Sequence, residues 1–264
     1  MLVVVLLLLA WLFDSWDIIL FRNLALLIIV ILAIFDFVRS RIYKKKITPT
    51  MDFIISCCFL TNRYSGIDGY EIGAVGKNLR NRFRMRRALR GPWGIKNKKG
   101  FYNTIKWLQE EGHNKECMQQ IQQFHENPEG LTNKGILERI DERYQGIGII
   151  AWDLCRLCNI VTWGTVAGYI KYKDAISICV KAGRILQANF NSWDDMINNY
   201  LLGYRYWCGE ESKMKERKKM YEALKENPKS KLYKVDFHVY LDENDVIKQR
   251  RTCLLYTSPS QRDS

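Results

Sequence analysis

The sequence predicts a mainly α-helical protein. An N-terminal transmembrane helical segment leads into a multi-helix cytoplasmic domain, which ends in a small C-terminal β-hairpin. Three observations carry this. The first 38 residues are almost entirely apolar, whereas the rest is polar and basic. Downstream, apolar residues recur three and four apart through successive segments, the period of a helix face. Only at residues 232–241 does the period change to two. With 264 residues, 47% apolar and 26% charged, the chain has material for one or two domains with a buried core. Its 17 Gly and 5 Pro exclude a collagen-like or broadly disordered chain.

Residues 1–38 read as the membrane anchor. Residues 18–38 make an apolar stretch of 21, the length that crosses about 30 Å of hydrocarbon. Arg22, Asn23 and Asp36 lie near its ends, where side chains can snorkel to the interface. Residues 1–13 are apolar but short for a span, at about 20 Å of helix. The pattern favours a tight hairpin turning at residues 14–17, with Trp11 and Trp16 at the interface. The alternative is a single span with a half-buried lead-in. No positive start precedes the first apolar run and no small-residue cleavage site follows it, which argues against a cleaved signal peptide. Arg39, Arg41, Lys44, Lys45 and Lys46 come next, in a basic juxtamembrane linker at 39–52. The positive-inside rule puts everything after them in the cytoplasm. The same five residues form a membrane-surface site for anionic lipid headgroups, at about 1 kcal/mol per basic residue.

A helical domain at 53–212 follows, beyond a linker broken by Pro49. Residues 53–60 start its first helix, and Gly66, Gly69, Gly73 and Gly76 then loosen the chain. From Lys77 to Lys99 there are ten basic residues and no acidic one, punctuated by Gly91-Pro92-Trp93-Gly94. Asn97 can cap a helix whose apolar face is Phe101, Ile105 and Leu108, with Trp107 beside it. Gly112 suits the residue just past that helix's end, and His113 follows. A second helix is expected at about 115–126, stopped at Asn127-Pro128, and a third from a Thr132 cap through Arg143. In residues 146–161, Ile150, Leu154, Leu157, Cys158 and Val161 share one helix face and Trp152, Asp153, Arg156 and Asn159 the other. Asp153 and Arg156, three apart, can pair.

A helix at about 172–190 comes next. Ser192 then caps one whose stripe of Trp193, Ile197, Tyr200, Leu201, Tyr204 and Trp207 is a core signal. The last unit, 213–252, joins a charged surface helix at 213–226 to a hairpin. In its first strand Tyr233, Val235, Phe237, Val239 and Leu241 alternate with Lys234, Asp236, His238 and Tyr240. Residues 242–245 make the turn, and Val246-Ile247 begin the partner strand.

The formal charge of +13 admits a nucleic-acid partner, but no aromatic stacking pattern or recognised motif accompanies the basic run. A solvated face against anionic headgroups is the better account. Of eight cysteines, Cys155 and Cys158 have a C-x-x-C spacing, yet none of His113, His125 and His238 completes a zinc pattern. Reduced, buried thiols are expected, with no metal and no cofactor implied.

The segments 93–95 (WGI), 107–113 (WLQEEGH), 151–156 (AWDLCR), 167–170 (AGYI) and 192–207 (SWDDMINNYLLGYRYW) carry a resemblance in order and spacing. Over residues 93–207 the chain resembles the bacterial family catalogued as domain of unknown function 1266. The resemblance implies a mainly helical domain in bacterial proteins, sometimes behind membrane segments, and hence the inner membrane as location; it implies no established activity. Residues 253–264, CLLYTSPSQRDS, resemble the translated read-through of a sequencing adapter and are set aside from fold reasoning. The natural chain is then expected to continue past Thr252; the alternative is a genuine polar tail.

His113, Trp152, Asp153, Arg156, Trp193, Asn199 and Tyr200 match the family pattern at positions that packing alone does not demand. One reading is a pocket in which Arg156 and His113 hold an anionic or polar ligand against tryptophan walls. The other is structural: an Asp153–Arg156 pair locking helices, with His113 as a cap. No nucleophile elbow, P-loop, zinc motif or dinucleotide fingerprint is present. The expectation is a membrane-anchored, non-catalytic binding module for a ligand or protein partner. The alternatives are a hydrolase-like enzyme using His113 with Asp153, and a toxin-immunity role at the membrane.

Overall fold

The computed structural model describes residues 22–31, 47–67, 69–127, 129–131 and 133–244. The chain divides into two compact units, Met1–Lys46 with Cys253–Ser264, and Ile47–Thr252. In the first, residues 22–31 are helical, about 15 Å of helix. Among the described residues no helix is long and apolar enough to cross a membrane. Of the expected span at 18–38 only residues 22–31 are described; the rest of it, and the lead-in at 1–13, lie outside the described residues. The turn at 14–17, the basic cluster at 39–46, the strand at Val246-Ile247 and the tail at 253–264 lie outside the described residues.

The second unit holds nine helices among its described residues: α1 (Pro49–Tyr64), α2 (Leu79–Trp93), α3 (Lys98–Glu110), α4 (Gly112–Glu126), α5 (Lys134–Tyr144), α6 (Ile150–Ala167), α7 (Tyr172–Asn189), α8 (Trp193–Cys208) and α9 (Glu211–Glu226). The fold is organised around α6. Every residue from Ala151 to Ala167 is buried, and the helix packs against α1, α2, α3, α4, α7 and α8. A helix enclosed on all sides has no solvent face. The polar face of Trp152, Asp153, Arg156 and Asn159 is thus as deep in the protein as the apolar one.

Local chemistry sets the helix ends. Thr48 caps α1 by accepting from the Met51 amide at 3.2 Å. Pro49 sits at the helix start, where its fixed φ helps and its missing N–H is not needed. The proline expected to break a linker therefore opens the first helix, four residues before residue 53. Likewise α2 runs on through Pro92 and ends at Gly94, which takes φ +62°. Asn97 caps α3 through the Gly100 amide at 2.9 Å, and Phe101, Ile105 and Leu108 are buried as the periodicity predicts. Ser192 caps α8 through the Asp195 amide at 3.2 Å. The aromatic stripe of α8 is buried except at its end, where Trp207 is 55% exposed. The Thr132 cap falls on an undescribed residue.

The expected strand at 232–241 is a correction. This segment is a series of turns, and no strand occurs among the described residues. Its carbonyls are taken by side chains of neighbouring helices instead of by a second strand. Trp193 Nε1 donates to Val235 O at 2.8 Å, and Gln187 Nε2 donates to Phe237 O at 2.7 Å and Val239 O at 2.8 Å. Arg184 donates to Leu241 O at 3.0 Å. Tyr233 adopts φ +59°, which breaks extended geometry. Alternating residues mark a half-buried segment, but the two-residue period says nothing about who accepts the backbone hydrogen bonds.

Candidate functional site

The residues singled out by sequence meet where α4 starts against the first turn of α6. Gly112 begins α4 with φ +58°, and a Cβ there would lie 2.1 Å from Asp153 Oδ2. Both the backbone and the close approach require glycine. Asp153 uses this approach to accept from the Asn114 amide at 2.7 Å. A carboxylate on α6 thereby does the N-terminal capping of α4, which has no cap of its own. The exchange is mutual. Asn114 Oδ1 accepts from the Ile149 amide at 2.5 Å, at the start of α6. Asn199, from α8, accepts from the Ala151 amide at 3.0 Å and donates to Gly148 O at 2.7 Å. Side chains from three helices thus supply the hydrogen bonds that the starts of α4 and α6 lack.

Arg156 occupies the centre of this junction. It donates to Asp153 Oδ1, to His113 Nδ1 at 2.8 Å through Nη2, and to Trp152 O at 3.2 Å through Nε. Its guanidinium lies 4.4 Å from the ring centre of Trp152, 5.4 Å from Trp93 and 6.0 Å from Trp107. Cation–π attraction and the ion pair together hold a cation that burial disfavours. Burial draws its pKa down and Asp153 pulls it back up.

His113 reaches partway to solvent, with 22% of its side chain exposed. Burial lowers its pKa and the Arg156 charge adds to this, against Asp153 and Glu116. Arginine can only donate, so the 2.8 Å contact makes Nδ1 an acceptor and leaves the proton of the neutral ring on Nε2. His113 Nδ1 is 3.9 Å from Asp153 Oδ1, beyond hydrogen-bond reach. The structure therefore builds an Asp–Arg–His array and not an Asp–His dyad. His113 is the second residue of α4 and makes no capping hydrogen bond; the capping role expected of it belongs to Asp153.

Trp152 forms the wall. Its ring meets Tyr200 at 5.2 Å, Tyr204 at 5.6 Å and the exposed Trp207 at 5.8 Å. Its Nε1 is buried without an acceptor. A buried indole N–H without a partner is uncommon enough to need a reason. Tyr200 itself pairs with Thr61 at 3.2 Å and accepts from Arg217 at 2.9 Å. Trp193 lies apart from this group, in a cluster with Phe53, Tyr233 and Phe237. Sequence reasoning missed Trp93, Trp107, Gly112 and Asn114 as members of the site. Three of these fall inside the quoted motif blocks, which was the available signal; Asn114 comes one residue after.

The described cysteines are free thiols, all buried except Cys208. Burial holds the Cys57 and Cys58 thiols well above the usual range, so they are poor nucleophiles. Among the described residues no group of His, Cys, Asp and Glu is placed to hold a metal ion.

The profile of the family described as "Protein of unknown function (DUF1266)" matches residues 88–237, which is 150 of the 264 residues and takes in every side chain of the junction. No curated protein and no solved structure matches the chain.

Proposed function

The chain belongs to the DUF1266 family, and from that premise and the junction geometry we propose a membrane-tethered, cytoplasm-facing, non-catalytic module that binds a ligand or protein partner at the tryptophan-walled edge of the junction. One observation carries the reading: Asp153 is wholly engaged. One oxygen holds Arg156 and the other caps α4, while Arg156 stands between the carboxylate and His113. An acid–base pair of His113 and Asp153 would need the two within hydrogen-bond reach, and they stand 3.9 Å apart. The junction holds two donors, the Nε2–H of the partly exposed His113 and the buried, orphaned Trp152 N–H, which a ligand entering beside the exposed ring of Trp207 would have to reach by displacing the side chains over it. Arg156 is already neutralised by Asp153, so a neutral acceptor fits this edge better than an anion. The ligand class is a planar group bearing carbonyl or amide oxygens.

Tethering at a bacterial inner membrane is supported by the apolar residues 1–38 and the basic residues Arg39 to Lys46. In the helix at 22–31, Leu24, Leu27, Val30 and Ile31 are all more than half exposed, as a helix made for an apolar surrounding would be.

The test is a thermal-shift screen of the detergent-purified full chain against small aromatic amides. Binders should lose their stabilisation in Trp152→Phe, which keeps a ring but deletes the N–H, and keep it in Arg217→Met. Binders indifferent to Trp152→Phe, or none at all, would overturn the site.

A further inference from the structure

We propose that α2 is a second membrane contact, an interfacial helix that lies on anionic lipid headgroups with Phe83 and Leu79 entering the headgroup–acyl boundary. Phe83 is 61% and Leu79 59% exposed, one turn apart on the same side of the helix. At 100° per residue, Leu79, Arg80, Phe83, Arg84, Arg87 and Arg90 fall within an arc of about 140°. All six are exposed, while Met85 and Leu89 on the opposite side are wholly buried. The orientation is fixed from behind. Arg82 and Arg86 lie beyond one edge of the arc and donate to Ala167 O at 3.4 Å and 3.0 Å, which pins α2 to the carbonyl end of α6.

The charge pattern names the occupant. No acidic residue occurs between Lys77 and Lys99. Among the described residues, no arginine of α2 forms an ion pair, and Arg84 makes only a hydrogen bond to Gly66 O at 2.8 Å. A merely solvated basic face has no use for two large apolar side chains at its edge. Exposed apolar residues bordered by arginines are the composition of a helix lying in a membrane interface. The proposal rests on the tethered reading, because a tether keeps α2 at high effective concentration near the bilayer. It differs from the juxtamembrane cluster in being carried by the folded domain.

The test uses the full chain with phosphatidylcholine vesicles, with or without phosphatidylglycerol. Labelling of Phe83→Cys by a charged, membrane-impermeant maleimide is followed against the unsubstituted chain, which gives the background from native cysteines. Phosphatidylglycerol should slow labelling by roughly tenfold or more, and high salt should reverse this. The triple variant R80Q/R87Q/R90Q should weaken the protective contact by about a hundredfold. Equal labelling on neutral and anionic vesicles would overturn the proposal, as would protection by added RNA but not by anionic lipid. Flotation reads the tether separately. A chain that floats with neutral vesicles but is unprotected at residue 83 refutes the α2 contact alone. A chain protected on anionic vesicles but unable to float with neutral ones supports the contact and refutes the tether.

Discussion

Two buried arginines in this protein are solvated in opposite ways. Arg156 has a carboxylate, a histidine nitrogen and three indole faces. Arg217 on α9 has tyrosine faces and a phenol. Its guanidinium lies 3.7 Å from the ring centres of both Tyr64 and Tyr204, and Nη1 donates to Tyr200 OH at 2.9 Å. Among the described residues no carboxylate pairs with Arg217, and its Nε has no acceptor. The two are joined through α8, since Tyr200 and Tyr204 also pack on Trp152. The contrast shows that aromatic faces with a single neutral acceptor can house a cation at the rim of the core. At the centre of the core, a countercharge is added.

The largest test of this difference is Asp153→Ala. It strands a buried cation and uncaps α4 together, and should cost about 3–5 kcal/mol in denaturant unfolding of the full chain. Replacing both partners, as Asp153→Leu with Arg156→Met, should recover much of that loss, because no unpaired charge remains. A double variant no more stable than Asp153→Ala would mean that the capping of α4, and not the ion pair, dominates. Next in size is Arg217→Met, expected to cost only about 1 kcal/mol, since it keeps the apolar stem between the tyrosine rings and leaves no carboxylate behind. A loss as large as that of Asp153→Ala would erase the distinction between the two regions.

What the sequence made legible follows from which forces are local. Helix periods, the Asn97 and Ser192 caps and the Asp153–Arg156 spacing depend on residues within a turn of each other, and all appear in the structure. The strand at 232–241 did not appear, because its backbone partners are Gln187, Trp193 and Arg184, some 40 to 57 residues away. Pro49 opens α1 instead of breaking a linker for a related reason: a proline breaks a helix or starts one according to whether a capping residue precedes it, and Thr48 does. At the site, Asp153, Arg156, His113 and Trp152 were legible as unusual polar and aromatic residues. Their purpose was not. A carboxylate 39 positions from the amide it caps, and an asparagine that returns the favour 35 positions on, leave no periodic mark.

The smallest effect separates the two regions by pH. His113 is held below the ordinary histidine range by burial and by Arg156, with Asp153 and Glu116 opposing. Beside Arg217, burial pushes the phenols of Tyr64 and Tyr200 upward, so neither changes charge near neutrality. Between the lowered folded pKa of His113 and its unfolded value near 6.5, the unfolded chain binds more protons than the folded one. Stability is therefore complete above about pH 6.5, declines as the pH falls toward the folded value, and levels off below it. His113→Asn keeps an acceptor for Arg156 and removes the titration. Melting temperatures of the two chains should converge near pH 8, apart from a constant offset, and separate as the pH falls below about 6.5, with the unsubstituted chain losing more. His125 and His238 are present in both and cancel in the difference. Parallel curves would mean that His113 titrates alike in the folded and unfolded chain, so that burial and Arg156 do not hold its proton off, and a gain by the unsubstituted chain at low pH would mean a raised value.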